Sequence, residues 1–320
     1  MSLPWLRTVL TGCLLTATSQ SLNAQDITVT LLGTGAPPPV MDRFGPSILV
    51  EAAGEKLIFD VGRGTAQRFF QLGMPLREVT GVFLTHFHSD HTVGLPDLWL
   101  TGWLNPQFGG RTAPFRIWGP PGTQTMMTAL EEAYSEDIRI RIADQDYSPE
   151  GVAIEAKDIA EGVVFENEGV RVTAFNVDHG DLIEPAMGYR VDFRGRSVVL
   201  SGDTRVSENL IEFSSGVDLL VHEVAAASDE LLTRSEGVRR IIAHHTRPEE
   251  AGAVFARVEP MLAVYSHIVR FGDAQSPPPS LEDVIASTRT AYSGPLEVGV
   301  DLMRIEIGDA ITIQRLSPSP

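Results

Sequence analysis

The sequence predicts an α/β fold in which two β-sheets pack together with helices outside. Short apolar strands joined by Gly- and Pro-containing turns recur along the chain, and only a few helical stretches interrupt them. A third observation concerns function as much as fold. Imidazole and carboxylate clusters fall where apolar strands stop, at five places. In layered α/β folds, functional residues gather at strand ends along one edge.

At 320 residues and 43% apolar, the chain can bury a packed core as one large or two small domains. Its glycines and prolines are spread out, which excludes a fibrous or disordered protein. The first 24 residues stand apart: Arg7 is their only charge, Thr8 to Thr18 is mostly apolar or small, and Leu22-Asn23-Ala24 precedes Gln25. This anatomy predicts a secretory signal peptide cut after Ala24, leaving residues 25–320 as a single domain that is periplasmic or secreted. The apolar stretch is too short to span a bilayer. Leu10-Thr11-Gly12-Cys13 has lipobox-like residues, but it follows Arg7 too closely to leave an h-region, so a lipoprotein is the lesser alternative. Cys13 is the only cysteine and departs with the leader, which excludes disulfides and a cysteine nucleophile. The formal charge of −17 repels polyanions, so nucleic acid is not expected as the physiological partner. No later run is long and apolar enough for a membrane span. A small-molecule substrate fits this balance, and a homodimer is compatible with it.

Taken in order, Ile27–Leu32 is a strand closed by Gly33-Thr34-Gly35 and Pro37-Pro38-Pro39. Residues 47–51 and 56–60 form a hairpin about Gly54, and Asp60-Val61-Gly62 turns the chain into a helix over 65–72 that Gly73 stops. Val82-Phe83-Leu84 is a buried strand. Residues 97–103 are a helix or a lid segment, 115–118 a strand, and 125–134 a helix with Met126, Met127, Leu130 and Ala133 on one face. Residues 137–168 carry no clear period. Strands follow at 170–177, 186–193, 197–200 and 218–221, and Pro248 opens a helix to Val258. Residues 261–265 form a strand closing on Ser266-His267, 281–292 a helix, and 302–307 with 311–316 a last strand pair.

The densest cluster is His86-Phe87-His88-Ser89-Asp90-His91, which holds three of the eight histidines in six residues. Side chains two apart in extended backbone share a side, so His86 and His88 can close on one metal ion, and a following turn swings Asp90 and His91 toward a second. Imidazole nitrogen and carboxylate oxygen are the ligands zinc takes in hydrolytic sites. Four further strand ends present His179, Asp203 after Gly202, the pair His222-Glu223, and His267. Each alone reads more simply as a satisfied polar group; five in one layout do not.

This arrangement of His-x-His-x-Asp-His, a downstream His, Gly202-Asp203-Thr204 and a late Ser-His resembles the metallo-β-lactamase superfamily. Gly33-Thr34-Gly35 and Asp60-Val61-Gly62 also match it. The run Gly202-Asp203-Thr204-Arg205, then His222-Glu223, then His244-His245-Thr246 before a helix, is similar to the ribonuclease Z-like branch, and the likeness spans roughly residues 27–270. The resemblance implies a four-layer αββα sandwich of two mixed β-sheets and a binuclear zinc-dependent hydrolase. It implies that His86, His88 and His179 hold one zinc, that Asp90, His91 and His267 hold the other, and that Asp203 bridges both. A hydroxide between two such ions serves as the nucleophile, and Asp90 counts among the catalytic residues. Redox di-iron relatives place Glu where His88 stands, which favours hydrolysis. His244 matches the histidine of the branch's His-Ser-Thr motif and is expected to act as general acid, oriented by Glu223. Because His245 replaces the family's Ser, the catalytic imidazole is either of the two. Asp60 is expected to accept from a ligand histidine or its loop, with a turn-capping role as the alternative. His222 is expected behind the site or as a core histidine.

Two departures bear on substrate. Relatives that bind tRNA carry a long arm between the downstream His and the Gly-Asp-Thr, whereas only a strand pair fits between His179 and Asp203. No cysteine is available near the second ion, which excludes the β-lactamase class that uses one. The expectation is hydrolysis of a small phosphodiester, sulfate ester or related ester. The alternative is a histidine-ligated β-lactamase or a lactonase, and a tRNA 3′ endonuclease is the lesser one. Trp99, Trp103, Phe108 and Trp118 are expected either to wall an apolar substrate pocket or to pack in the core. Iron or manganese would also suit the N/O ligands.

Overall fold

A computed structural model describes residues 26–316; the predicted leader, with Cys13, lies outside the described residues. Strands β1 (Ile27–Gly33), β2 (Ser47–Ala52), β3 (Glu55–Phe59), β4 (Gly81–Phe83), β5 (Phe115–Gly119) and β6 (Ile154–Asp158) build the first sheet. The second takes β7 (Gly162–Asn167), β8 (Val170–Val177), β9 (Ala186–Phe193), β10 (Arg196–Leu200), β11 (Leu219–Ala227), β12 (Leu262–Phe271) and β13 (Leu296–Val298). The chain then returns through β14 (Met303–Ile307) and β15 (Ile311–Arg315), giving the orders β15-β14-β1-β2-β3-β4-β5-β6 and β13-β12-β11-β10-β9-β8-β7. Both sheets are mixed. Antiparallel hairpins lead in each, β3 to β6 are parallel in the first, and β10 to β13 are parallel in the second.

A period of two along the strands divides the core. Val50, Leu57, Phe59 and Phe83 face Val172, Tyr189, Val198 and Val264 of the other sheet in one shared cluster. Their neighbours Leu49, Ile58 and Val82 face outward instead, onto α1 (Thr65–Gln71) and the helix Leu95–Trp103. On the far side, Val199, Leu220 and Ala263 meet Ala251, Val254 and Phe255 of the helix Pro248–Val258. These four layers, helix, sheet, sheet, helix, match the predicted architecture.

Several local expectations change. Residues 137–168 contain helices Ser135–Gln145 and Pro149–Val152 as well as β6 and β7. The helix Ser135–Gln145 buries no residue, so no apolar stripe marks it in the sequence. The helix after Ser280 stops at Thr288, short of the expected Tyr292. The strands carrying His222 and His267 continue past them to Ala227 and Phe271, although polar pairs were expected to end them. The apolar residues beyond each pair, Val224 to Ala226 and Ile268 to Val269, are buried and keep the ladder going.

Candidate active site

The site is assembled at one end of the two sheets. Leaving β4, the chain enters Leu84-Thr85-His86, and the short helix Ser89–Thr92 turns Asp90 and His91 inward. His179 follows β8, Asp203 follows β10, and His267 sits within β12. His267 still reaches the site because two residues of β12, Ser266 and His267, lie opposite Glu223 alone in β11. That bulge carries His267 at φ 43°, a left-handed conformation that re-aims its ring.

The ring nitrogens converge on one carboxylate oxygen. Asp203 Oδ2 lies 3.9 Å from His86 Nε2, 3.8 Å from His179 Nε2, and 3.3 Å from each of His91 Nε2 and His267 Nε2. On one side, His88 Nδ1 stands 3.0 Å from His86 Nε2 and 3.3 Å from His179 Nε2. On the other, Asp90 Oδ2 is 3.3 Å from His267 Nε2 and 3.6 Å from His91 Nε2. Three overlapping groups of potential ligands result: His86, His88, His179 and Asp203; Asp90, His91 and His267; and Asp203, His245 and His267. Donors about 2.0–2.1 Å from a tetrahedral ion stand about 3.3 Å apart, so these separations suit bound cations.

Tautomers are set from behind. His91 Nδ1 donates to Asp60 Oδ2 at 2.7 Å, while Asp60 also accepts from the Thr85 N–H and hydroxyl, both at 2.8 Å. Thr85 Oγ, having given its proton to Asp60, accepts from His86 Nδ1 at 2.9 Å. His179 Nδ1 donates to the His244 carbonyl at 2.8 Å. Each ring therefore presents its Nε2 toward the centre, the nitrogen that a cation would take. His91 Nε2 and Asp203 Oδ1 are buried with no hydrogen-bond partner among the described residues. Buried polar atoms without partners are costly, and a cation is a partner that accepts their lone pairs. The residues present thus fit a dinuclear metal group.

The electrostatics agree at His86 and His179 but run the other way at His91. There burial is outweighed by the Asp203 and Asp60 carboxylates, which raise the pKa well above the usual histidine value, so that ring holds a proton which a bound cation would displace. Burial opposes charge on Asp203, yet the His267 and His91 rings hold its carboxyl well below the usual range. Burial pushes His86 well below the usual histidine value and brings His179 down to about 4, so both are neutral, as ligands must be.

Both His244 and His245 line the cavity over the site, and Glu223 pairs with His245. Glu223 Oε1 accepts from His245 Nδ1 at 3.1 Å and from the backbone N–H groups of Thr246 and Thr204 at 3.0 and 3.2 Å. The expected Glu223–His244 pairing is not formed. His245 is buried with its ring 5.0 Å from that of His179, whereas His244 is half-buried and contributes its backbone carbonyl. Burial lowers the pKa of His245, but the Glu223 carboxylate more than offsets this and raises it to about 9. His222 turns away from the centre: its ring packs edge-on against Phe255, and its Nδ1 donates to the Glu223 carbonyl at 2.6 Å. Sequence reasoning missed Thr85 and the His244 carbonyl, for which only adjacency to the motifs gave a signal.

A cavity of about 900 Å³ opens over His88, Asp90, Asp203, His245 and His267. Its wall combines the polar site residues with an aliphatic stretch that includes Ala36, Val40, Ile241, Ile268 and Val269. None of the expected aromatics lines it: Trp99 and Trp103 are buried beneath the first sheet, Trp118 stacks on Phe83 between the sheets, and Phe108 also lies away from the cavity.

Residues 56–268 match the β-lactamase superfamily domain. The chain is 36% identical over 281 residues to a ribonuclease Z of Mycobacterium marinum (strain ATCC BAA-535 / M), covering 88% of this chain and 99% of that one. It belongs to the metallo-β-lactamase superfamily, in the ribonuclease Z-like branch. Among solved structures, the short form of human tRNase Z aligns with a TM-score of 0.64 at 22% identity, covering 88% and 99% of the two chains. YhfI of Bacillus subtilis, a metallo-β-lactamase fold protein, aligns with a TM-score of 0.65 at 16% identity, covering 87% and 98%. Family membership and the histidine–aspartate cluster make this superfamily member a metal-dependent hydrolase.

Proposed function

We propose that the protein is an exported binuclear zinc hydrolase that cleaves a small phosphodiester, sulfate ester or related ester. The observation that carries the reading is the convergence of four imidazole nitrogens on Asp203 Oδ2, with His88 and Asp90 closing the two sides. His86, His88 and His179 would hold one ion and Asp90, His91 and His267 the other, with Asp203 placed to serve both. When bound, the ions supply Lewis acidity and lower the pKa of a water toward about 7, so no protein nucleophile is needed. This chain's own residues do the rest. His245, protonated up to about 9 and held by Glu223, donates a proton to the leaving-group oxygen. Asp60, Thr85 and the His244 carbonyl keep the ligand rings in their coordinating tautomers.

The ribonuclease Z relatives favour one second reading, cleavage of an RNA phosphodiester. A net charge of −17 works against it, as does the short segment between His179 and Asp203, which is filled by a loop and the β9–β10 hairpin. Export rests on the composition of residues 1–24, and the mass of the protein recovered from a secreting host tests it: cleavage after Ala24 is expected, and an intact, cell-retained chain would overturn it.

The activity test is a substrate panel on the zinc-loaded protein: bis(p-nitrophenyl) phosphate, p-nitrophenyl sulfate, a chromogenic cephalosporin and a tRNA precursor. Turnover of either ester that is abolished by chelation and exceeds turnover of the other two is the expected result. Faster opening of the cephalosporin, or efficient 3′ trimming of the tRNA precursor, would replace the small-ester reading.

A further inference from the structure

The cavity over the metal ligands is long on one side, and what lines that side is not required for hydrolysis. One wall is the loop after β1, with Ala36, Pro37, Pro38 and Val40; the other is β12 beyond its bulge, with Ile268, Val269 and Phe271. The walls are joined at their base, where the Ile268 N–H donates to the Thr34 carbonyl at 3.1 Å. Ala36 and Val269 are buried in a small apolar cluster with Ala225 and Ile242, so this side of the cleft has its own packed floor. Val40 and Ile241 remain 47% and 41% exposed at its rim. Exposed aliphatic side chains facing each other over a preformed cleft mark a site for an apolar group.

Charge lines the cleft as well. Arg43 and Arg270 both line the cleft, and neither forms an ion pair among the described residues. Arg43 Nη1 is pinned to Thr34 Oγ1 and the Gly299 carbonyl, both at 2.7 Å, and Arg270 Nη1 to the Pro279 carbonyl at 2.9 Å. Burial lowers the pKa of Arg43, and Arg270 adds to the effect while Asp301 and Asp42 oppose it, which places the two guanidinium groups within electrostatic range. Asp42 is the one carboxylate on this stretch of wall apart from the metal ligands. In a chain of charge −17, Arg43 and Arg270 are the two cationic side chains that this cleft offers an anionic group, with Asp42 and Asp301 also near Arg43.

We propose that the substrate is an amphiphilic ester, one arm of which is aliphatic, lies between these walls and ends in an anionic group taken up by Arg43 and Arg270. The proposal rests on the hydrolase reading above and specifies its substrate class. A guanidinium receives a carboxylate or a phosphate equally well, so the terminal group is an oxyanion of either kind.

The test uses the zinc-loaded full chain and p-nitrophenyl phosphodiesters whose second arm is methyl, butyl, octyl or 8-carboxyoctyl. The expected kcat/KM rises about fourfold per methylene over the first few carbons, the value that apolar transfer implies, and rises again with the terminal carboxylate. Val40→Asp and Ile241→Asp, both at exposed rim positions, are expected to flatten the dependence on chain length. Arg270→Gln is expected to remove the advantage of the carboxylate. Calorimetric binding of the octyl, methyl and 8-carboxyoctyl phosphonates, which are not cleaved, reads the cleft independently of turnover. Preference for the longer, anionic ligand that is lost in the variants sustains the proposal even where none of the esters is cut, an outcome that would count against the phosphodiesterase reading instead. A kcat/KM flat across the series, or equal affinity for the methyl and octyl phosphonates, overturns it.

Discussion

Asp60 accepts from His91 and from both donors of Thr85, and so decides which nitrogen of His91 is free for a metal. Its own φ of 58° shows that the turn after β3 holds it in place against the usual preference for glycine there. Asp60→Asn keeps the shape but replaces an acceptor with an amide that can donate, so the His91 tautomer is no longer enforced. Affinity for the second ion should fall about 10- to 100-fold, measured by competition with a chromogenic chelator. An unchanged affinity would mean that Asp60 only caps the turn. At the neighbouring pair, His245→Ala should cut kcat by about 10²- to 10⁴-fold while the metal content stays, and His244→Ala should cost far less. A group acting as an acid works below its pKa, so the basic limb of kcat should fall as pH rises through about 9. Glu223→Gln removes the carboxylate that raises this pKa and should move the limb to lower pH. A limb that does not move would deny Glu223 that role.

Elements bring these residues together through backbone devices more than through side-chain packing. The bulge opposite Glu223 lets β12 stay in register as a parallel strand while turning His267 inward. After β10, Gly202 adopts φ 60°, and a Cβ there would stand 2.6 Å from the Met187 carbonyl. Gly202→Val must displace β9 or the Asp203 loop. Lower metal content and a lower melting temperature are expected together, whereas a fully metal-loaded variant would mean that the loop tolerates the shift. Such devices limit what a sequence reveals. His86, His88, Asp90 and His91 are legible because one strand end and one helical turn place all four. Asp203 and His179 are legible because a visible strand precedes each. His245 was not separable from His244, since the choice depends on where a helix ends and which ring reaches Glu223 across β11. The aliphatic cleft was hidden for a related reason. In the sequence His267 reads as a strand end, so Ile268 to Phe271 have no reason to read as a wall. Of the two readings open for Trp99, Trp103 and Trp118, the structure bears out the core.

Across the whole molecule, two sheets of alternating pattern bury one core between them and one beneath each helical layer, and the candidate metal ligands from both sheets meet at a single edge. The fold was legible because that alternation is local and repeated, while the sheet order depends on pairings distant in sequence, such as β1 with β14. Any ion bound at the edge is held by both sheets at once, so metal binding and folding stability are coupled. The measurement that tests the account most directly is the metal content of the purified protein and of Asp203→Asn, read with the melting temperature and ester turnover of the same samples. Two zinc ions per wild-type chain are predicted. Chelation should abolish turnover and lower the melting temperature, and Asp203→Asn should lose metal as well as activity. Full turnover without metal, or a wild-type chain that binds a single ion unaffected by Asp203→Asn, would contradict the binuclear site.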